Sequence, residues 1–258
     1  MKPIERRERI TSIVREASRV SVEELAALLS TSHETVRRDL ALLSERGVVR
    51  KVHGGAVHAQ TALESPYGDR SEAQRAEKAA IANRAALLFE PGDSLLIDAG
   101  STTTAFAEAL GGVGRFTVIT NSILVAKELW NSPRRSEVNL LGGRYAGENH
   151  EAVGPQTIEQ IQRLHADHAV LTIGAIDAGG MFMDYNADEA YVARAMMASA
   201  RQTTVLADSS KLCRHALFQV CEAPSVHRLV TDRPPPAPLA EALRLAGVEV
   251  LLAPVLDT

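Results

Sequence analysis

A short loop in the second half of the chain carries residue types suited to binding an anion. Its sequence is Asp98-Ala99-Gly100-Ser101-Thr102-Thr103-Thr104, and it follows an apolar run and leads into a helical pattern. Gly100 permits a sharp turn, and amides at a helix N-terminus together with a row of hydroxyls can hold a phosphate. The loop therefore predicts a phosphate site, whose candidate residues are Asp98, Gly100, Ser101, Thr102 and Thr103.

Three further polar loops follow other apolar runs that are candidate strands. They are Thr120-Asn121-Ser122, Leu141-Gly142-Gly143-Arg144 and Asp208-Ser209-Ser210-Lys211. Arg144 and Lys211 can each add a charge-assisted contact to an anion. One such loop is more often structural, because Ser and Thr cap helices and Gly fills turns. Four of them at the carboxyl ends of strands, where open α/β sheets bind ligands, favour a ligand site.

The ligand predicted for these loops is a small phosphorylated compound. The sequence lacks GxxxxGK[ST], and it lacks a GxGxxG loop between a strand and a helix. Both absences argue against a nucleotide, because these patterns hold the phosphates of nucleotides and dinucleotides.

A second set of chemistry-bearing residues lies within the first sixty. Arg37 and Arg38 fall outside the apolar stripe of a helix expected over 32–46, near His33, Glu34 and Thr35 at its N-terminal end. Such a face can enter the major groove of DNA, where Arg pairs with guanine and Ser or Thr hydroxyls reach bases or phosphates. The alternative is a small helical bundle with a solvated basic face.

The elements around this helix favour the DNA-binding interpretation. Apolar spacing predicts a first helix over 5–17, and Ser21-Val22-Glu23-Glu24 and Thr31-Ser32-His33-Glu34 are capping boxes that open two more. Gly47 is expected to end the third helix. A hairpin follows, with strands over 48–52 and 56–58, a turn at His53-Gly54-Gly55, and Arg50 and Lys51 placed for phosphate contacts. Together these features predict a winged helix-turn-helix domain.

Composition and charge agree with a two-part chain. At 258 residues the chain suits two domains, and 45% hydrophobic with 23% charged residues excludes a disordered or fibrous chain. Residues 1–58 hold 11 Lys and Arg against 8 Asp and Glu, whereas the remainder holds 17 against 24. The first part is therefore basic and the second acidic. No apolar run long enough to cross a bilayer and no apolar leader occurs, which predicts a cytoplasmic protein.

The sequence of the second part predicts an α/β domain. We predict the winged helix-turn-helix over 1–58, a linker over 59–73 and the α/β domain over 74–258. The expected strands are apolar runs of the kind that a parallel sheet covered on both faces requires; they are 94–99, 116–120, 138–141, 169–173, 203–207, 228–231 and 248–252. Helices are expected over 103–110, 123–130, 155–163, 189–200 and 239–246.

At these residues the chain resembles the DeoR/GlpR family of bacterial regulators. In the first part the matching residues are Thr35-Val36-Arg37-Arg38-Asp39-Leu40, Leu43, Gly47, Arg50 and His53-Gly54-Gly55-Ala56. In the second part they are the loops that begin at Asp98, Thr120, Gly142 and Asp208, together with Gly174-Ala175 and Glu189. The resemblance implies a DNA-binding repressor with an α/β sensor domain similar in fold to sugar-phosphate isomerases. It implies that the repressor leaves DNA when a phosphorylated sugar or sugar acid binds the sensor domain. Gly174-Ala175-Ile176-Asp177 departs from the Gly-Ala-Ser-Gly-like run of many members.

The residue assignments that follow from motif and resemblance are these. The predicted DNA-binding residues are Ser32, His33, Thr35, Arg37, Arg38, Arg50, Lys51, His53 and Gly54; the predicted ligand-binding residues are Asp98, Gly100, Ser101, Thr102, Thr103, Asn121, Gly142, Gly143, Arg144, Glu189 and Lys211. Asp39 is expected to pair with an Arg of its own domain rather than to read a base. Because two heads are needed to read a repeated operator, we expect a homo-oligomer, a dimer or tetramer.

Two other functions remain open from the sequence. A sugar-phosphate isomerase or deaminase is the alternative, with Asp98, Asp177, Asp184, Asp188 and Glu189 as candidate acid–base groups. A metal-responsive regulator is the third, because His165 and His168 form a close pair, yet only Asp167 stands near them as a further ligand. We expect no catalytic residues, no metal and no cofactor.

Overall fold

The computed structural model describes residues 3–17, 19–45, 48–52, 54–58, 67–253 and 255. The chain divides into two compact units, 1–65 and 66–258. No helix among the described residues is long and apolar enough to cross a bilayer.

Over its described residues, the first unit consists of three helices and a small antiparallel sheet. Its elements are α1 (Pro3–Ala17), β1 (Arg19–Ser21), α2 (Val22–Leu28), α3 (His33–Glu45), β2 (Val49–Val52) and β3 (Gly55–His58). Strand β3 lies between β1 and β2, which makes the predicted hairpin the outer part of a three-stranded sheet. The core takes apolar residues from every helix, among them Ile10, Leu25 and Leu40, which are at most 1% exposed.

The predicted capping box of α2 is confirmed, and that of α3 is displaced by one residue. The Oγ of Ser21 accepts a hydrogen bond from the Glu24 amide at 3.1 Å, and the Glu24 carboxylate accepts one from the Ser21 amide at 2.8 Å. In α3 the cap is Ser32 rather than Thr31, because the Ser32 Oγ accepts the Thr35 amide at 3.2 Å. The residues predicted to end α3, Arg46 and Gly47, lie outside the described residues.

The second unit is an α/β domain built on a parallel sheet. Its elements are α4 (Tyr67–Glu72), α5 (Arg75–Ala86), β4 (Ser94–Ile97), α6 (Ser101–Val113), β5 (Thr117–Thr120), α7 (Ile123–Asn131), β6 (Glu137–Leu140), β7 (Arg144–Ala146), β8 (Glu151–Val153), α8 (Pro155–Ile161), β9 (Ala166–Thr172), β10 (Ala175–Ile176), β11 (Met181–Asp184), α9 (Ala187–Ala198), β12 (Ala200–Leu206), β13 (Phe218–Glu222), β14 (Arg228–Thr231), α10 (Ala237–Leu245) and β15 (Glu249–Leu252). Short 3-10 turns occupy Ser209–Lys211 and Ala223–Ser225.

Every strand predicted for this domain lies in the parallel sheet, whose order over the described residues is β15-β14-β12-β9-β4-β5-β6. Alternate residues of one strand enter different cores. In β4, Leu95 and Ile97 pack with α5, α6 and α7, whereas Leu96 belongs to a cluster that includes α9 and α10. Covering both faces requires apolar residues at successive positions, which explains the continuous apolar runs. The predicted fold class is confirmed.

Three features of this unit were not predicted. Strands β7 and β8 form an antiparallel hairpin between β6 and α8. Strands β10, β11 and β13 form a separate antiparallel sheet. Helix α4 occupies 67–72 within the segment predicted as a linker, and residues 59–66 lie outside the described residues.

Candidate functional site

The outer face of α3 carries the residues predicted to meet DNA. Val36, Leu40 and Leu43 are buried, whereas His33, Arg37 and Arg38 are exposed and Thr35 is half-buried. The Ser32 hydroxyl caps the helix and lies 2.8 Å from the Thr35 hydroxyl. Two guanidinium groups thus extend from the first turns of a capped helix whose opposite side is fixed in the core.

An ion pair holds α3 against α1. Asp39 is 4% exposed, and one oxygen of its carboxylate accepts a hydrogen bond from the Arg6 Nε at 2.6 Å. The prediction that Asp39 pairs with an Arg of its own domain is confirmed. Because removing one partner of a buried pair leaves the other charge uncompensated, this contact fixes the orientation of α3.

The hairpin supplies a second basic element. Lys51 is exposed on β2, and Gly54 is exposed in the turn with φ +74°. Gly55 is a strand residue rather than a turn residue: a Cβ there would lie 2.3 Å from the Val20 carbonyl oxygen, so only glycine permits the close pairing of β3 with β1. The side chain of Arg50 and all of His53 lie outside the described residues.

In the second unit the four predicted loops leave neighbouring or nearly neighbouring strands at one edge of the sheet. The loops follow strands β4, β5, β6 and β12. In the sheet β4, β5 and β6 are consecutive neighbours, and β9 lies between β4 and β12. All these strands are parallel, so their carboxyl ends share an edge.

The loop after β4 brings backbone amides to the start of α6. Gly100 is the N-cap residue and, having no side chain, makes no side-chain capping hydrogen bond to the first turn of the helix. A Cβ on Gly100 would lie 2.3 Å from the Thr172 Cγ2, so the loop passes β9 more closely than any other residue type allows. The hydroxyls of Thr103 and Thr104 donate to the Gly100 carbonyl at 3.1 and 2.7 Å. They stabilise the turn, while Ser101 is half-buried and Thr102 and Asp98 are buried beside it.

The loop after β5 has a different role from the one predicted. Asn121 is fully buried, and its side-chain amide donates to the Glu151 carboxylate at 3.0 Å and to the Ala152 carbonyl at 3.2 Å. These contacts join the end of β5 to the hairpin strand β8. The Asn121 Nδ2 is therefore used internally, whereas its buried Oδ1 has no hydrogen-bond partner among the described residues.

The loop after β6 is tightly packed and leads into the hairpin. Gly143 has φ +156°, and a Cβ on it would lie 2.0 Å from the Thr157 Oγ1. The Gly142 carbonyl accepts a hydrogen bond from that same Oγ1 at 2.9 Å. Arg144 begins β7 and forms an ion pair with Asp188 at the start of α9. The guanidinium thus has a carboxylate partner within the unit.

The loop after β12 is organised by two buried carboxylates. Asp208 accepts a hydrogen bond from the Ser210 amide at 3.0 Å, and Asp232 accepts one from the Ser209 amide at 2.6 Å. Both carboxylates are at most 5% exposed. They hold the 3-10 turn that ends at Lys211, which is half-buried.

Glu189 is joined to a helix that sequence reasoning missed. Its carboxylate accepts a hydrogen bond from the Asn149 side chain at 2.7 Å, and Asn149 accepts one from Arg70 of α4 at 2.6 Å. Tyr67 of α4 donates to the Thr104 Oγ1 at 3.1 Å. No periodicity in the sequence marks α4, so only the tertiary contacts reveal that it adjoins the predicted site.

Comparison with known proteins identifies the family. The DeoR-like helix-turn-helix domain matches residues 6–62, and the DeoR C terminal sensor domain matches residues 73–233. The chain belongs to the DeoR family.

DeoR-family relatives extend over nearly the whole chain. The HTH-type transcriptional repressor CsqR of Escherichia coli is 34% identical over 96% of this chain and 94% of its own. The glycerol-3-phosphate regulon repressor of Haemophilus influenzae is 36% identical over 91% of both chains. The repressor GlcR of Bacillus subtilis is 33% identical over 94% and 93%. This chain is a DNA-binding transcriptional regulator of the same family.

A solved structure is similar over part of the chain. Ribose 5-phosphate isomerase A of Methanocaldococcus jannaschii is 17% identical over 52% of this chain and 53% of its own, with a TM-score of 0.38. The relatives that span both units are repressors, so the enzyme alternative is not favoured.

The carboxylates considered for catalysis have structural partners in this DeoR-family chain. Asp98 accepts the Ala99 amide at 2.7 Å, Asp177 accepts the Gly179 and Met181 amides at 2.9 Å, and Asp184 accepts the Tyr185 amide at 2.8 Å. Asp188 and Glu189 bind Arg144 and Asn149 as described above. These contacts are those of carboxylates that fix loops and helix ends.

The histidine pair considered for a metal lies at and just before β9. His168 is packed at 5.0 Å from the Phe89 ring, and its Nε2 is 3.4 Å from an Asp93 oxygen. Burial lowers the pKa of His168, and this effect exceeds the opposite effect of Asp93. No group of three metal-ligating side chains occurs among the described residues. His168 is thus part of the packing between β9 and the loop before β4.

Proposed function

We propose that this regulator represses a carbohydrate or sugar-acid catabolic operon and leaves its operator when a phosphorylated sugar binds the second unit. The observation that carries the proposal is the joint family match: a DNA-binding unit and a sensor unit lie on one chain, and full-length relatives are named repressors. The protein works on DNA in the cytoplasm as a homo-oligomer.

The DNA arm of the proposal assigns base reading to α3. Arg37 and Arg38 contact base edges, and Ser32, His33 and Thr35 contact the adjacent bases or phosphates. Arg50, Lys51, His53 and Gly54 of the hairpin contact the phosphate backbone. This assignment is supported by the exposure of Arg37 and Arg38 opposite the buried stripe of α3, since helix-turn-helix domains read DNA with the first turns of this helix.

The effector arm assigns phosphate binding to the start of α6. The amides that follow Gly100 hold the phosphate, with Ser101 and Lys211 as the polar and cationic side chains. Asp98, Thr102 and Thr103 shape the loop, and Gly142, Gly143 and Arg144 border the site. Glu189 accepts hydrogen bonds from sugar hydroxyls. The support is that Gly100 leaves α6 without a side-chain cap, because uncapped first-turn amides attract anions.

Release from DNA requires that the effector bind the DNA-free and the DNA-bound arrangements of the protein with different affinities. A sugar phosphate that binds the DNA-free arrangement more tightly than the DNA-bound one lowers operator affinity by the same factor. Coupling factors in proteins commonly lie in the range of about 5 to 150, which is enough to relieve repression.

DNA binding is tested by fluorescence anisotropy of the full-length protein on DNA from its own upstream region, at several salt concentrations. The expected result is tighter binding than to a shuffled sequence, with affinity that falls steeply as salt rises because phosphate contacts release counterions. Equal affinity for both sequences, or a flat salt response, would contradict the proposal.

A further inference from the structure

Helix α4 is attached to two parts of the second unit that the proposed function uses. At one end Tyr67 donates to the Thr104 Oγ1 at 3.1 Å, and this hydroxyl donates to the Gly100 carbonyl at 2.7 Å. This series, Tyr67 to Thr104 to Gly100, is called here the tyrosine relay. It ends in the loop whose amides open α6.

A second series of hydrogen bonds starts one turn further along α4. The Arg70 guanidinium donates to the Asn149 Oδ1 at 2.6 Å, and the Asn149 Nδ2 donates to Glu189 at 2.7 Å. This series is called here the arginine relay. Its direction is fixed by chemistry, because Arg only donates, carboxylate only accepts, and the side-chain amide of Asn does both. The side chain of Asn149 therefore links Glu189 to Arg70.

The C-terminal end of α4 is held by a buried cation. Lys78 of α5 is 6% exposed, and its Nζ donates to the carbonyls of Arg70 and Ala73, the latter at 2.7 Å. A cation at the last carbonyls of a helix is favourable, and its burial ties α4 to α5. Helix α4 has only six residues and contains Gly68. Its position consequently depends on tertiary contacts rather than on intrinsic helix stability.

The place of α4 in the chain gives these contacts a consequence. Tyr67 is the second residue of the second unit, because the division between the units falls between residues 65 and 66. Helix α4 therefore lies in sequence next to the point at which the chain connects the two units.

We propose that α4 senses the occupancy of the sugar-phosphate site through the tyrosine and arginine relays and transmits it to the connection with the DNA-binding unit. The proposal rests on the proposed function. Sugar hydroxyls bound to Glu189 compete with the Asn149 amide, and a phosphate at the Gly100 loop changes the turn that Thr104 stabilises. Both events alter the contacts of α4. Tyr67, Arg70 and Asn149 are positioning residues that do not themselves hold the effector.

The test compares Asn149→Ala and Tyr67→Phe in the full-length protein. Each variant removes one relay, and each has a matched control at an exposed side chain: Asn139→Ala on edge strand β6, and Tyr191→Phe on α9. The probes are glycerol 3-phosphate, glucose 6-phosphate, fructose 6-phosphate and ribose 5-phosphate. Operator affinity is measured by anisotropy without and with a saturating concentration of whichever probe releases the wild type. The ratio of the two affinities is the coupling factor.

The relay variants are expected to bind operator DNA within about threefold of the wild type when no probe is present. Their coupling factor at saturation is expected to fall at least fivefold, while both controls keep the wild-type factor. Because the probe is saturating, weaker binding of the probe does not account for the loss. Unfolding transitions that match the wild type exclude misfolding.

The possible failures are distinguishable. If the wild type is released and both relay variants keep its coupling factor, the relay proposal is wrong and the proposed function stands. If Asn139→Ala or Tyr191→Phe loses coupling as strongly as the relay variants, α4 has no special role and the proposal is again wrong. If no probe releases the wild type, the sugar-phosphate proposal fails and the relay proposal fails with it.

Discussion

Replacing Gly100 by alanine tests the close approach on which the α6 loop depends. The added Cβ would lie 2.3 Å from the Thr172 Cγ2 and 3.3 Å from the Thr172 Cβ. Gly100 has φ 166°, an extended conformation open to alanine, so the cost comes from the clash alone. Overpacking of this kind costs about 1–3 kcal/mol. In a unit of this size 1 kcal/mol shifts Tm by about 2–4 °C, so Gly100→Ala is expected to lower Tm by about 2–12 °C.

Tryptophan fluorescence during thermal unfolding is the assay. The chain has one tryptophan, Trp130 in α7, so this signal reports the second unit alone. Adding Thr172→Ser removes the Cγ2 and leaves the Cβ at a distance that small shifts relieve. The double variant Gly100→Ala/Thr172→Ser is therefore expected to recover most of the lost Tm.

Gly112→Ala is the matched control within the same helix. A Cβ on Gly112 meets no atom within 4 Å, so the substitution adds only helix propensity. It is expected to raise stability by about 0.4–1 kcal/mol and Tm by about 1–4 °C. A Gly100→Ala protein as stable as the wild type, or a double variant no more stable than Gly100→Ala, would refute the packing argument.

Three more predictions concern DNA reading, effector response and pH. Arg37→Ala and Arg38→Ala are each expected to weaken operator binding by about 1–3 kcal/mol in anisotropy titrations. The control is Arg134→Ala, in an exposed loop of the second unit. Unchanged affinity of both α3 variants would contradict the assignment of base reading to α3. Lys211→Ala is expected to keep operator affinity and lose release by sugar phosphates, and a normal response would contradict its role. Burial lowers the pKa of His168, so the folded state binds fewer protons than the unfolded state and loses stability as pH falls through about 6.5, the ordinary value. Urea unfolding at pH 7.5 and 5.5 is expected to show a smaller pH effect in His168→Leu, and an equal effect in both proteins would contradict this.

Strong local patterns made most of the fold predictable. The sheet strands are apolar runs because both faces are covered, as the alternation of Leu95 and Leu96 between two cores shows. The Ser21 box follows from three-residue spacing, which is purely local. The pairing of Asp39 with an Arg could be expected, because a carboxylate can be buried beside the basic face of α3 only if a cation lies next to it.

Elements held by tertiary contacts could not be predicted from the sequence. Helix α4 lacks an apolar stripe, and its position depends on Tyr67, Arg70 and the distant Lys78. The hairpin β7–β8 is short and carries Arg144, Tyr145 and Glu151 rather than an alternating apolar pattern. Asn121 illustrates the same limit within the site. Its residue type suits a ligand, but its Nδ2 donates to Glu151, thirty positions away, a contact that no local pattern indicates.

The measurement that tests the central claim most directly is anisotropy of the full-length protein on its own upstream DNA, titrated with sugars and their phosphates. We expect sequence-specific binding to this DNA. One phosphorylated compound is expected to reverse the binding, whereas its unphosphorylated parent is not. Specific binding that no phosphorylated compound reverses would contradict the proposal that a sugar phosphate is the effector. The absence of specific binding would contradict the conclusion that the protein is a DNA-binding regulator.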